Sequence, residues 1–170
     1  TYKPIVWLAY PAETPEINYN TGGYDNCFSF YNNTEDLWID GFDHNINSNA
    51  RGIGLGVASN TVNGRICIRR NTFRGLTNAL YDNKSEFFLF GGVGVYNSVQ
   101  DNTFSDSVGY GLLGYDFHKT VVEDNTFTGS ITLVLSPKDN NQNWTVRGNT
   151  LTLTAASVAI DRQEYTTHGP

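Results

Sequence analysis

Counted from four asparagines, Asn71, Asn102, Asn125 and Asn149, apolar and polar positions fall in one repeating frame. Three residues before each asparagine stand Ile68, Val99, Val122 and Val146, and two residues after it stand Phe73, Phe104, Phe127 and Leu151. Between asparagine and aromatic lies Thr72, Thr103, Thr126 or Thr150. This alternation predicts short strands with the aliphatic and aromatic side chains pointing in and the threonines pointing out. The asparagines are 31, 23 and 24 residues apart. A repeat of that period predicts a solenoid in which each turn stacks on the one before. Asparagine over asparagine then forms an amide ladder, and Phe over Phe over Phe over Leu an apolar column. Asparagine suits the bend because its side chain can bond to nearby backbone.

A second apolar strand recurs. Taking Leu8, Phe30, Leu55, Leu80, Leu112, Leu133 and Ile160 as equivalents gives steps of 22, 25, 25, 32, 21 and 27 residues, or about seven coils. The segment Leu37–Phe42 fits as a degenerate member, with Phe42 lying 31 residues before Phe73 and Asp40 in the ladder position. The 32-residue step holds an aromatic-rich insertion, Ser85–Gly92, read either as a loop packed on the wall or as a partner contact. A leucine-rich repeat would need its Leu-x-x-Leu-x-Leu frame, and a propeller a longer repeat.

Composition agrees with strands and turns: 20 Asn, 17 Gly, many Thr and aromatics, and no Met among 170 residues. That length suits a single domain, 1–170. A net charge of −6, with 11 basic residues that form no cluster, argues against a nucleic-acid partner. No apolar run is long enough for a helical membrane span. The chain opens without Met or a signal peptide and reads as a mature product or as a portion of a longer chain. Cys27 and Cys67 read as two free thiols or as one disulfide, with Cys67 in the slot of Ser98, Val121 and Thr145.

Two stretches resemble the pectin-lyase-like family. One is the run of Asn-x-Phe coils across Cys67–Leu153. The other is Tyr2–Ile17, which is similar to the Lys-Pro-Ile, strand, Tyr-Pro-Gly-Glu-x-Pro-x-Ile opening of secreted β-helical polysaccharide lyases, with Ala12 where Gly is usual. The resemblance implies an all-β, right-handed parallel β-helix. It also implies a polysaccharide partner bound in a groove parallel to the helix axis, and a secreted or cell-surface location.

On such a scaffold, chemistry needs polar residues that align from coil to coil. At the end of the second apolar strand stand Lys84, then Asp116 and His118, then Lys138 and Asp139, then Asp161, Arg162 and Glu164. Elimination at a uronate needs a base and a cation to stabilise the enolate. His118, Lys84 or Lys138 are the candidate bases, Asp116 is placed to orient His118, and Arg162 is the candidate neutralising cation. Hydrolysis would use paired carboxylates such as Asp116 with Asp161 or Asp139. Lys138, Asp161, Arg162 and Tyr115 are the expected glycan contacts. Tyr81, Tyr110, Tyr115 and Trp144 read as sugar-stacking rings or as wall packing. The competing reading of the charged column is a salt-bridged wall.

Beside the ladder run Arg70, Asp101 and Asp124, with Arg69, Gln100, Glu123 and Arg147 outside them. These are expected to bridge coils. The alternative is calcium held by Asp101, Glu123 and Asp124, no other cofactor being indicated. His44 and His168 read as surface residues, and the three histidines share no zinc spacing. Two functions follow: a lyase or hydrolase acting on a glycan, or a non-catalytic glycan-binding, adhesive or self-stacking module. The second draws on strand edges expected at both ends, which a neighbouring β-helix chain or flanking sequence would cover.

Overall fold

The computed structural model describes residues 4–19, 26–30, 35–46, 51–55, 62–75, 88–90, 93–105, 110–115, 119–138, 143–154 and 158–160. Its regular structure is all β. In chain order the strands are β1 (Ile5–Leu8), β2 (Glu16–Tyr19), β3 (Asn26–Phe30), β4 (Leu37–Asp40), β5 (Asp43–Ile46), β6 (Arg51–Leu55) and β7 (Val62–Gly64). There follow β8 (Cys67–Arg69), β9 (Thr72–Arg74), β10 (Phe88–Phe90), β11 (Val93–Val95), β12 (Asn97–Gln100), β13 (Thr103–Ser105) and β14 (Tyr110–Tyr115). The last are β15 (Thr120–Glu123), β16 (Thr126–Gly129), β17 (Leu133–Lys138), β18 (Thr145–Arg147), β19 (Thr150–Leu153) and β20 (Val158–Ile160).

These strands stack into three six-stranded sheets: β1-β4-β8-β12-β15-β18, β2-β5-β9-β13-β16-β19 and β3-β6-β10-β14-β17-β20. The chain visits the first, second and third sheets in rotation, and β7 and β11 form a small pair of their own. Neighbouring strands run parallel throughout the described residues, as in Phe104 opposite Phe127 and Val99 opposite Val122. We call each pass through the three sheets a rung.

Between the first and second sheets the chain turns through one left-handed residue in each of five successive rungs: Gly41, Arg70, Asp101, Asp124 and Gly148, with φ between 53° and 87° at these corners. The left-handed residue aims its N–H at the following rung, as Arg70 N–H does at Gln100 O and Asp101 N–H at Glu123 O, both 3.2 Å. The next residue is the ladder asparagine. Asn102 Oδ1 accepts from Asn71 N–H (3.0 Å) and Asn71 Nδ2 (3.2 Å), while Asn102 Nδ2 donates to Ile68 O (3.0 Å) and Asn125 Oδ1 (2.9 Å). Asn125 repeats this pattern, with Asn149 on one side and Val99 O on the other. The threonine that follows donates its N–H back to the preceding rung, as from Thr126 to Asn102 O at 2.8 Å. Asn71, Asn102 and Asn125 are buried. Their amides can sit there because their donors and acceptors are used between rungs.

Next to the ladder, Phe73, Phe104 and Phe127 are 0% exposed. Phe73 stacks on Phe104 at 5.2 Å between ring centroids, and Phe104 on Phe127 at 4.6 Å with rings 6° from parallel. Ile68, Val99 and Val122 fill the first sheet's inner face. The expected frame therefore holds in the middle rungs. In the terminal strands it is uncovered: Val146 and Leu151 are 40% and 41% exposed, because β18 and β19 have no further strand beyond them among the described residues.

Five equivalences expected from spacing are corrected, one being that Leu55 aligns through Phe90 with Gly114, so Ile53 and not Leu55 is the counterpart of Leu112. Leu8 lies in the first sheet, opposite Asp40, and not with Phe30 and Leu55. The third-sheet strand between β6 and β14 is Phe88–Phe90, inside the run expected as an insertion, so Leu80 is not its member. Leu112 pairs with Leu135 and not with Leu133, which faces Tyr110. In the rung before Asn71 the frame is offset by two: Gly41 takes the left-handed corner, Phe42 the ladder place and His44 the aromatic place opposite Phe73. Asp40 consequently stands opposite Arg69. The corner decides this, since glycine takes positive φ without strain. Phe–Phe spacing alone pointed elsewhere.

At the start of the chain Glu13 N–H donates to Tyr10 O at 2.9 Å across Pro11 and Ala12. Ala12 sits at φ 69°, the third position of a type II turn, where glycine is favoured. Ala12→Gly is therefore expected to raise stability by about 0.5–1 kcal/mol, measured by urea unfolding. In the same assay Phe104→Ala is expected to cost about 3–5 kcal/mol and the half-exposed Leu151→Ala about 1 kcal/mol or less. Equal losses at the two positions would contradict the stack. Asn102→Ala strands the buried Asn71 N–H and Ile68 O of one rung and breaks the amide ladder to Asn125, and is expected to cost about 3 kcal/mol.

Candidate functional site

The third sheet carries the two longest strands, β14 and β17, of six residues each. They leave the sheet together, with Tyr115 opposite Lys138 in the register. Asp116 follows Tyr115 directly in the sequence, and Asp161 follows Ile160 at the end of β20, which pairs with β17 through Leu135 and Ile160. Register thus sets the exits of β14 and β17 side by side, while β20 ends three residues short of the β17 exit, with Ile160 opposite Leu135. Tyr115 and Lys138 are adjacent by register. Lys84, Asp116, His118, Asp161 and Arg162 lie outside the described residues, as do Tyr81, Asp139, Glu164 and His168. The position of β10 bears on Lys84: the chain passes Lys84 before entering this strand, whereas the other candidates lie on or after strand exits.

Among the described residues, five arginines are paired with carboxylates between rungs. Asp40, 2% exposed, accepts from Arg69 Nη2 at 2.9 Å and from Arg70 Nε and Nη2 at 2.7 Å each. Burial pushes its carboxyl up, but hydrogen bonds from Arg70 and Arg69 outweigh this and hold it below its ordinary value. Arg69 also lies 5.3 Å over the Trp38 ring. Arg65 bridges Glu35 and Asp36, and Arg74 bridges Asp43 and Glu16. Glu123 is engaged by both Arg147 and Gln100. This is the cross-rung bridging expected of the column. Among the described residues no three His, Cys, Asp or Glu side chains group as a metal site would need.

His44 was expected at the surface and is instead 0% exposed. It stacks on Phe73 at 4.4 Å with rings 8° from parallel, so it extends the phenylalanine column by one ring. Its place in that column follows from the two-residue offset, which the His-Phe spacing could have revealed once Gly41 was aligned with Arg70. Burial lowers its pKa from 6.5 to about 4. Cys67 is a free thiol in the outer row with Ser98 and Val121, and burial pushes its pKa up. Trp144 packs against the core, in keeping with the wall reading.

Sequence spacing did not single out a second set of left-handed corners, at the other end of the first sheet: Asp36, Arg65, Tyr96, Lys119 and Asn143, with φ between 52° and 59°. Lys119 Nζ donates to Tyr96 Oη at 2.9 Å and lies 4.4 Å from the ring centroid. The signal was available, because each of these residues stands two places before the outer row of Trp38, Cys67, Ser98, Val121 and Thr145.

No protein-family profile, curated protein or solved structure matches this chain.

The depressed His44 value has a defined consequence. The unfolded chain binds a proton near pH 6.5 and the folded chain only near pH 4, so stability is full above that window and falls as pH drops through it. The loss is expected to reach roughly 3 kcal/mol. Asp40 acts lower, since its stabilising charge is lost only below its ordinary value of 3.8. His44→Phe should therefore remove the slope of unfolding free energy between pH 6.5 and 4 while leaving the steeper acid loss. A slope unchanged by the substitution would contradict the assignment.

Proposed function

We propose that this chain is a right-handed parallel β-helix that processes a polysaccharide lying along the stack axis, across the exits of β14, β17 and β20. The observation that carries the proposal is the register of Tyr115 with Lys138 on the two longest neighbouring strands. It sets an aromatic and a cationic residue side by side, next in sequence to Asp116 and His118. Rungs spaced at about 4.8 Å give a straight, rigid wall for a linear chain of sugars. The right hand is the sense nearly all parallel crossovers take. Six strands per sheet among the described residues correspond to six rungs, where spacing led us to expect about seven coils.

The resemblance to the pectin-lyase-like family gains support from Ala12. The family's usual glycine would occupy a position whose φ here is 69°, the conformation glycine takes freely. Five wall arginines are structural, since Arg65, Arg69, Arg70, Arg74 and Arg147 each hold a carboxylate of a neighbouring rung.

In this reading His118 removes the proton α to a uronate carboxylate. The electron pair forms the new double bond as the glycosidic oxygen leaves and takes up a proton. Asp116 orients the imidazole, and Lys138 with Arg162 balances the enolate charge. Tyr115 provides a face for a sugar ring. Lys84, which precedes β10, is left out of this group.

The test is turnover on a panel of acidic and neutral glycans, reading unsaturated uronate absorbance and reducing ends separately. His118→Ala is expected to lower turnover about a hundredfold or more, and Tyr115→Ala to weaken binding several-fold with a smaller effect on turnover. New reducing ends without unsaturation would replace elimination by hydrolysis. Binding without turnover on any glycan would make the protein a glycan-binding wall, and full turnover in His118→Ala would remove that residue from the chemistry.

A further inference from the structure

The two series of left-handed corners differ in composition. After the first-sheet strands the corners are Gly41, Arg70, Asp101, Asp124 and Gly148, so four of five are residues that tolerate positive φ well. The one exception, Arg70, is accounted for by its bonds to Asp40. Before the first-sheet strands the three central corners are Arg65, Tyr96 and Lys119. Non-glycine residues are strained in this conformation, which Asn or Asp relieve in part through local bonds. Arg65 gains its pairs with Glu35 and Asp36. Tyr96 does not gain burial, since it is 63% exposed. What it holds is the Lys119 ammonium, over its ring and on its hydroxyl.

We infer that Tyr96 and Lys119 form a second glycan contact, an outer ridge that takes an anionic, uronate-containing chain running along the stack axis. This rests on the polysaccharide reading above but concerns a different face, at the entry to the first sheet. Three features carry it. Tyr96 and Lys119 stand two residues before Ser98 and Val121, which are register partners, so they occupy the same place on neighbouring rungs. At about 4.8 Å per rung, a ring on one and an ammonium on the next suit the ring face and the carboxylate of a linear polyuronate. One of the three ammonium donors is spent on Tyr96 Oη, which fixes the group and leaves others for a ligand carboxylate. Asn143 continues the same line on the following rung, exposed and at φ 59°, and adds an amide. In a chain of net charge −6, a local cation of this kind is what lets an anionic polymer approach.

The corner conformation separates a binding role from a structural one. Asparagine accepts positive φ more readily than tyrosine or lysine, so Tyr96→Asn and Lys119→Asn should fold with an unchanged or raised unfolding midpoint. Both are expected to weaken retention of the full chain in affinity electrophoresis through alginate, a polyuronate, by about fivefold or more. Retention by a neutral glucan gel should change less. Tyr115→Ala is run beside them. If alginate retention falls with Tyr115→Ala but not with Tyr96→Asn or Lys119→Asn, the ridge is only a corner and the third-sheet site stands. If it falls with the corner variants alone, the ridge binds and the third-sheet site is the reading that fails. A parent chain that alginate does not retain overturns the ridge outright.

Discussion

The structure depends on one hydrogen-bonded unit repeated along the stack: a left-handed residue, then an asparagine, then a threonine. A parallel stack must turn the chain sharply several times per rung, and each sharp turn exposes backbone groups that a buried corner cannot leave unpaired. The left-handed residue sends its N–H to the rung ahead, and the threonine sends its N–H to the rung behind. The asparagine side chain closes the remaining gaps, bonding backbone and amide of its neighbours at 2.9–3.2 Å. Because the donors and acceptors of one corner are met by the next, the unit is stable only in a stack. The phenylalanine column then follows, since side chains two residues past a fixed corner must superimpose.

The same constraint explains where the column changes character. In the rung before Asn71 the ladder place holds Phe42, so the amide series begins at Asn71, which donates to Ile39 O at 3.1 Å. The aromatic place there holds His44, kept neutral by burial among apolar neighbours. Asp40, in turn, is brought beneath Arg69 and Arg70 and becomes a buried carboxylate held by two guanidiniums. A buried charge of this sort is tolerated only when paired and hydrogen-bonded. At the last rungs no strand follows among the described residues, and Val146 and Leu151 are correspondingly exposed.

Function on such a scaffold comes from outward positions, and these are far less constrained than the interior. The cross-rung pairs of Arg65, Arg74 and Arg147 are wall chemistry. Register sets Tyr115 opposite Lys138 at the exits of β14 and β17, and Tyr96 holds Lys119 at the corner ridge, whereas Arg69 over Trp38 is tied to Asp40. The third-sheet candidates were legible as a recurrent polar position at strand ends, and the register now joins Tyr115 to Lys138. The ridge was not legible as a site, because Arg65, Tyr96 and Lys119 share no residue type, only a backbone conformation and a place in the stack.

The sequence by itself determined the repeat, the inward and outward sides of the first two sheets, the amide ladder and the phenylalanine column. Those follow from local alternation and from like residues returning at one place, and both are written in the order of residues. Tertiary structure alone decided which segments are equivalent where the frame is irregular. Gly41 at φ 87° sets Phe42 and His44 two places away from the Phe-to-Phe spacing. Phe88–Phe90, within an apparent insertion, supplies the third-sheet strand between Ile53 and Leu112. Leu135 displaces Leu133 opposite Leu112. Apolar residues stand close together at Leu133 and Leu135, a histidine takes an aromatic place at His44, and Leu80 and Phe88 offer two apolar runs in one long step, so pattern cannot choose among them. The choice falls to the parallel register, which is fixed by hydrogen bonds to a strand some 23–35 residues away.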